Sequence, residues 1–197
     1  MFDEDLTSLS PSIIMSLNIG KETYVGRVLD LMDDRNCRLG LNDLENIVAQ
    51  DPEKTLPLEN LQRKQQYIPV KDIVSKIKGH NLAVSANGVM FRTDKRSVLA
   101  VILDKWFDER VIYKKAMKKA YKNGNKKEGE LNHLKQYTMK ILLNSLYGAT
   151  ALPSFRYGSV ILSEAITLSG QRIIQESALF ANTHMNKILR NELKLEL

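Results

Sequence analysis

Arg110 and Lys114 stand four residues apart and Lys118 repeats the interval, so on a helix the three share one side. Further on, Lys140, Asn144 and Tyr147 fall at i, i+4 and i+7, again one side of a helix. If two such helices pack antiparallel, both sides look into a single groove. An arginine fork and movable ammonium groups there suit clustered phosphates. Tyr147, next to Gly148 at a helix end, suits a base or base pair as a stacking platform. A charged helical hairpin with no ligand has the same spacing, so spacing alone leaves both readings open.

A second candidate lies near the N-terminus. Asp5 falls in a short run, Phe2 to Leu6, that reads as a strand. A turn through Thr7-Ser8-Leu9 then leads to a helix whose first residue is Pro11 and whose cap is Ser10. A carboxylate at such a strand end is a fit ligand for a hard divalent cation, and N–H groups of the turn can meet phosphate oxygens. An ordinary exposed aspartate before a turn has the same type and position. His80, His133 and His184 are scattered without metal-ligand spacing. Cys37 is the only cysteine, which excludes an internal disulfide and a cysteine-based zinc site, and it reads as an inert reduced thiol.

The elements that must hold these groups are legible in part. After the Pro11 helix, which carries Ile13, Ile14 and Leu17, a helix is predicted over Leu41–Ala49. A loop marked by Asp51-Pro52, Pro57 and Pro69 follows. Two apolar runs, Leu82–Ala86 and Val89–Thr93, flank Asn87-Gly88, which predicts a hairpin closed by a two-residue type I′ turn. Long helices are predicted over Ser97–Tyr121 and Glu130–Leu146. The polar, basic stretch Lys122–Gly129 between them reads as an exposed tip. Tyr147-Gly148 and Pro153 interrupt, and a last helix spans about Leu162–Leu189. The fold class is therefore α+β, mostly helical.

Composition fits that class. The 197 residues are 43% hydrophobic and 26% charged, as in an ordinary globular protein. The longest apolar run, Val98–Leu103, falls far short of the roughly 18 residues of a membrane span. The N-terminus, Met1-Phe2-Asp3-Glu4-Asp5, is acidic where a secretory leader is basic, so a cytoplasmic location is expected, that of the host cell if the source is viral. Net charge is +6, concentrated between Arg110 and Lys140, where ten Lys or Arg face two Glu. Such a stretch attracts polyanions, a nucleic-acid backbone or a triphosphate, unless it is simply a solvated face.

The literal sequence goes further. Asp5-Leu6-Thr7-Ser8-Leu9-Ser10-Pro11-Ser12-Ile13-Ile14 resembles motif A of the family B DNA polymerases, D-L-T-S-L-Y-P-S-I-I. Lys140-Ile141-Leu142-Leu143-Asn144-Ser145-Leu146-Tyr147-Gly148 resembles their motif B, K-x-x-x-N-S-x-Y-G. Ser85-Ala86-Asn87-Gly88 is similar to the S-x-N-G hairpin before the fingers, and Arg110 with Lys114 to the R-x-x-x-K of the first fingers helix. Phe155-Arg156-Tyr157 and Ala165–Gln171 follow the tailed-bacteriophage replicative type.

This resemblance implies a division into a partial palm (1–94), a fingers helical hairpin (95–147) and a return to the palm (148–197). It implies DNA-directed nucleotidyl transfer from a dNTP to a primer 3′-hydroxyl, with primer-template DNA as partner and two Mg²⁺ ions as cofactor. Asp5 would ligate both ions and the Leu6 carbonyl one. Ser8 and Leu9 would cradle the triphosphate through their N–H groups, and Arg110, Lys114 and Lys140 would hold its charge. Asn144 and Tyr147 would line the nascent base pair.

There are two departures. Ser10 stands where motif A has a tyrosine that floors the sugar pocket, so weaker discrimination against ribonucleotides or a loss of fitness for catalysis is expected. Motif C, Y-G-D-T-D-S, is absent, as are the exonuclease and thumb, and Asp30, Asp33 and Asp34 read as solvent-exposed rather than as substitutes. A complementing C-terminal polymerase fragment is therefore expected as a partner. The motif A strand would otherwise keep an open edge and leave the isolated chain marginally stable. A non-catalytic, nucleotide- or nucleic-acid-binding remnant is the alternative reading. A purely structural hairpin protein would leave Asp5–Ile14 without a reason.

Overall fold

The structure, a computed structural model, describes residues 8–29, 40–60 and 62–193. The expected Phe2–Leu6 strand, with Asp5 and Leu6, and the residues Asp30, Asp33, Asp34 and Cys37 lie outside them. In chain order the elements are α1 (Leu9–Leu17), β1 (Tyr24–Val28), α2 (Leu41–Gln50), β2 (Thr55–Glu59), β3 (Gln65–Pro69), α3 (Val70–Gly79), β4 (Ala83–Val84), β5 (Val89–Phe91), α4 (Val98–Lys122), α5 (Lys126–Thr150) and α6 (Val160–Leu193). The α+β, mostly helical class is what the chain adopts.

The strands form one antiparallel sheet in the order β3-β2-β1-β5-β4. Helices cover both faces, and β5 shows why. Its side chains alternate, so Val89 and Phe91 enter one core while Met90 enters the other. The first core joins α1, α4, α5 and α6 through Ile13, Ile14, Leu99, Leu103, Leu143, Leu162 and Ile166. The second joins α2 and α3 through Leu44, Val70, Ile73 and Ile77. Full burial of a side chain such as Phe91 or Ile14 contributes about 2 kcal/mol.

Four expectations are corrected. The stretch around Pro57 and Pro69 is not a loop but the β2–β3 ladder, paired from Thr55↔Pro69 to Glu59↔Gln65. Pro57 is tolerated because β1 pairs with β2 only through Arg27↔Glu59 and Val28↔Leu58. Beyond that, Pro57 accepts from the Leu29 N–H at 2.8 Å but has no N–H to return, so the β1–β2 ladder ends there.

The Asn-Gly hairpin is present, with Ala83↔Phe91 and Val84↔Met90 paired, but its turn is not type I′. Only Gly88 has positive φ, at 76°. The Gly88 N–H donates to the Ser85 carbonyl (3.0 Å) and the Ser85 N–H to the Val89 carbonyl (2.9 Å). This is the three-residue loop that ends in a glycine bulge.

Finally, the hairpin tip is tighter than the polar stretch suggests. α4 ends in a Schellman motif: the Asn125 N–H donates to Ala120 O (3.0 Å) and that of left-handed Gly124 to Tyr121 O (3.1 Å). Asn125 then caps α5, its Oδ1 accepting from the Glu128 N–H at 3.3 Å. Lys126 to Gly129 are therefore helical. Nor does Tyr147-Gly148 stop α5, which runs on to Thr150.

The join between α1 and α4 rests on Asn18. It caps the C-terminus of α1 in the left-handed conformation (φ 56°), which asparagine tolerates, and is 3% exposed. Its Nδ2 donates to the carbonyls of Arg92 (2.6 Å) and Lys95 (2.7 Å), and its Oδ1 accepts from the Ser97 N–H at 2.8 Å. Ser97 in turn caps α4, its hydroxyl accepting from the Ala100 N–H and donating to Ile19 O at 3.0 Å. Replacing Asn18 by alanine strands these backbone groups and leaves a Cβ in a left-handed site. Urea unfolding of Asn18→Ala is expected to show a loss of about 3 kcal/mol. A loss under about 1 kcal/mol would mean that this residue does not hold the join.

Candidate nucleotide-binding site

α4 runs back along α1. At one end Asn18 meets the start of α4; at the same end Arg96 donates to the Met15 carbonyl and forks onto Asp104 (2.8 Å). At the other end Arg110 Nη1 donates to Ser8 Oγ at 3.1 Å. Arg110 reaches Ser8 because it continues the core-facing stripe Leu99-Leu103-Trp106 at i, i+4, i+7 and i+11. It emerges half-buried where the apolar residues stop. Its Nε is buried and has no acceptor among the described residues.

Ser8 begins α1 without capping it through its side chain. It stands in the left-handed region, φ 60° and ψ 37°, at the N-cap, and makes no side-chain cap. A left-handed residue followed by a helical one turns successive N–H groups to one side, a concavity that fits an anion. The first N–H groups of any helix lack intrahelical acceptors, and here those of Leu9 and Ser10 are of this kind. α1 begins at Leu9, two residues earlier than expected. Ser10 is therefore not the cap but lies half-buried inside the first turn, and Pro11, buried, has no N–H to leave unpaired.

The other candidates fall as follows. Lys114, Lys140 and Asn144 are solvent-exposed, and none forms a salt bridge or side-chain hydrogen bond with another described residue. Tyr113 and Lys135, equidistant in sequence from Gly124, meet in a cation–π contact at 5.5 Å. That fixes the register of the hairpin and puts Lys140 within about 3 Å of Arg110 in height along it. Tyr147 is half-buried, its hydroxyl sharing a hydrogen bond with Thr167 Oγ1 (2.9 Å), which itself donates to the Ser163 carbonyl. The structure thus joins Ser8, Leu9, Ser10 and Arg110 directly.

Arg27, Asp43, Glu164 and Arg172 are positioning residues with no signal in local sequence. The Ser85–Gly88 loop is buried. Ala86 N–H donates to Ser169 Oγ on α6 (3.1 Å), and Ser85 Oγ to Asn87 Oδ1 (2.7 Å). The Asn87 Nδ2 is buried without an acceptor among the described residues. Arg27 donates to the Asn87 carbonyl at 3.2 Å and pairs with Glu164 at 3.7 Å. Arg172 bonds Asp43 and Glu176, and these bonds, Asp43's first, raise its pKa. Beside it a cavity of about 350 Å³ runs along Leu9, Ser12, Ile13 and Ser16, and of the candidate residues only Leu9 lines it. Among the described residues no three His, Cys, Asp or Glu side chains converge, so they do not by themselves offer a metal cage.

The profile of DNA polymerase family B matches residues 4–197. The chain belongs to DNA polymerase family B. It is 28% identical over 212 residues to a DNA-directed DNA polymerase of Escherichia phage RB69, spanning 95% of this chain and 22% of that protein. Its identity to the DNA-directed DNA polymerase of Enterobacteria phage T4 is 28% over 207 residues, 93% of this chain and 22% of that one. Its fold is like that of the family B DNA polymerase from the hyperthermophilic archaeon Pyrobaculum calidifontis, with a TM-score of 0.56 at 15% identity. That match covers 98% of this chain and 22% of the archaeal one. The chain therefore spans 22% of the length of each of these relatives. Among the described residues no helix is long and apolar enough to cross a membrane.

The left-handed state of Ser8 has a measurable consequence. Ser8→Gly and Ser8→Ala both lose the hydroxyl that meets Arg110, so their difference isolates the backbone. Ser8→Gly is expected to be the more stable of the two by about 1 kcal/mol in urea unfolding. Equal stabilities would show that residue 8 is not held at positive φ.

Proposed function

We propose that this chain is the nucleotide-binding core of a DNA-directed DNA polymerase, with 1–94 as partial palm, 95–147 as fingers hairpin and 148–197 as the return to the palm. The observation that carries the reading is the contact of Arg110 with Ser8 at the N-terminus of α1, in a chain matched to the family over residues 4–197.

The triphosphate of a dNTP would lie against the N–H groups of Ser8 and Leu9. Arg110 offers a fork for a phosphate oxygen pair, its buried Nε still lacking an acceptor among the described residues. Lys114 and Lys140, exposed at the neighbouring level of the hairpin, supply movable charge that screens the polyphosphate. Asn144 and Tyr147 would border the nascent base pair, and the Tyr147–Thr167 hydrogen bond fixes the ring's tilt. With Ser10 in place of the family's tyrosine, nothing on that residue bars a 2′-hydroxyl, and Ser10→Tyr should sharpen the preference for deoxyribonucleotides.

Asp5 and the Leu6 carbonyl are the ligands this chain would bring to a pair of Mg²⁺ ions, with further carboxylates from a complementing C-terminal polymerase part. Bound there, the ions would supply Lewis-acid activation of the primer hydroxyl and neutralise charge on the leaving pyrophosphate.

The test is primer extension on a primed DNA template with Mg²⁺ and dNTPs, in the presence of the C-terminal polymerase part as one polypeptide or as an added chain. Extension should vanish in Asp5→Asn and fall about a hundredfold in Arg110→Ala. Extension that survives Asp5→Asn, or none under any condition from folded protein, would overturn the assignment.

A further inference from the structure

The tip of the α4–α5 hairpin carries charge that neither the core nor the Arg110 site uses. Lys118, Lys119, Lys122, Lys126 and Lys127 are all solvent-exposed. Lys119 and Lys122 lie in the last turn of α4, where cations complement the helix dipole. Lys126 and Lys127 do the opposite. They open α5 side by side at the positive end of its dipole, with Glu128, tied to Asn125 Nδ2 at 2.8 Å, as the acid of that first turn. None of these five lysines forms a salt bridge with a described residue; the lysine salt bridges there are those of Lys71 and Lys78. Folding alone gains nothing from Lys126 and Lys127 at that end, whereas an anion there would meet the positive end of α5.

Tyr121 is an independent observation at the same place. It is 45% exposed, yet its ring is pinned against Gly129 of α5. A Cβ at residue 129 would stand 2.5 Å from Tyr121 Cε1 and 2.6 Å from Cδ1, so only glycine leaves room for the ring. Glycine is among the poorest residues for a helix interior, and here it backs an exposed aromatic. Lys118 lies one turn before Tyr121 and Lys122 directly after it. A held ring among ammonium groups is the arrangement that stacks an unpaired base while neutralising its backbone.

We propose that this tip is a binding platform for single-stranded DNA, with a base on Tyr121 and phosphates on Lys118, Lys122, Lys126 and Lys127. The ladder Arg110, Lys114, Lys118, Lys122 advances about 6 Å and rotates about 40° at each step, so it leaves the core-facing side where Arg110 lies. Tyr121 stands roughly 16 Å along α4 from Arg110, which makes the tip a surface separate from the nucleotide site. A duplex offers phosphates but no open base face. The inference rests on the polymerase reading only in naming the strand as unpaired template.

The experiment is fluorescence anisotropy of a labelled oligo-dT with the full chain at graded salt, every variant first checked by circular dichroism. Tyr121→Ala should weaken binding about tenfold, while Tyr121→Phe stays within about twofold, since its ring still stacks. The double variant Lys126→Gln/Lys127→Gln should lower the slope of log affinity against log salt by about 0.7 for each phosphate no longer neutralised. Arg110→Ala should leave oligo-dT binding nearly unchanged. Binding of dATP, read on Trp106 fluorescence, should persist in Tyr121→Ala, so failure of the tip and failure of the nucleotide site are told apart. Parental affinity in Tyr121→Ala, a blunt duplex bound as tightly as the single strand, or no binding of oligo-dT at all would each overturn the proposal.

Discussion

Asn18 is the residue on which the candidate site depends, although it touches none of it. Its amide joins the end of α1 to the chain that leads from β5 into α4. That join sets where α4 starts and, through Ser97, that it starts as a capped helix. From a fixed start a helix has no freedom in where its later residues fall. Some thirteen residues on, roughly 20 Å along, Arg110 arrives opposite Ser8, about 15 Å back along α1 from Asn18. The difference is within the reach of an arginine side chain. The α1–α4 seam is therefore pinned at both ends, by a buried amide and by a guanidinium.

The two ends do different work. At Asn18 every polar group of the side chain is satisfied and buried, which rigidifies. At Ser8 the structure holds a non-glycine residue in the left-handed region, and the Ser8 side chain does not cap the helix N–H groups. It also buries an Arg110 nitrogen with no acceptor among the described residues. Such features lower stability, and surrounding packing must hold them in place. Ile13, Ile14, Leu99 and Leu103 belong to the core in which α1 and α4 pack. Unmet donors and positive charge gathered at one helix end are what a polyanion would complete.

Legibility in the sequence followed the range of the interactions. The long helices declared themselves through spacing, and the types at 110, 114, 140, 144 and 147 were readable because helical period is local. The literal motifs named the family, which the profile match bears out. Gly129 and Gly148 misled, since each resembles a breaker; the first serves to seat Tyr121, and the second is simply tolerated in an exposed helix. β1 is broken by Gly26, and β2 and β3 carry Pro57 and Pro69, so their apolar alternation is weak. Their pairing across the sheet, not their composition, makes them strands. Contacts such as Arg110 with Ser8, Ala86 with Ser169 or Asn18 with Ser97 lie dozens of residues apart and leave no local trace. Asp5 stood out as a carboxylate at a strand end and Leu6 only through the resemblance, and both lie outside the described residues.

The most direct measurement is equilibrium binding of dATP and dAMP to the folded chain, followed by the fluorescence of Trp106. This is the sole tryptophan and stands one helical turn before Arg110. A site built from the Ser8 N-terminus and Arg110 should bind the triphosphate at least about tenfold more tightly than the monophosphate, and Arg110→Gln should erase that preference. Equal affinities for the two nucleotides, or a preference that survives Arg110→Gln, would contradict the placement of the polyphosphate at the pinned end of the α1–α4 seam.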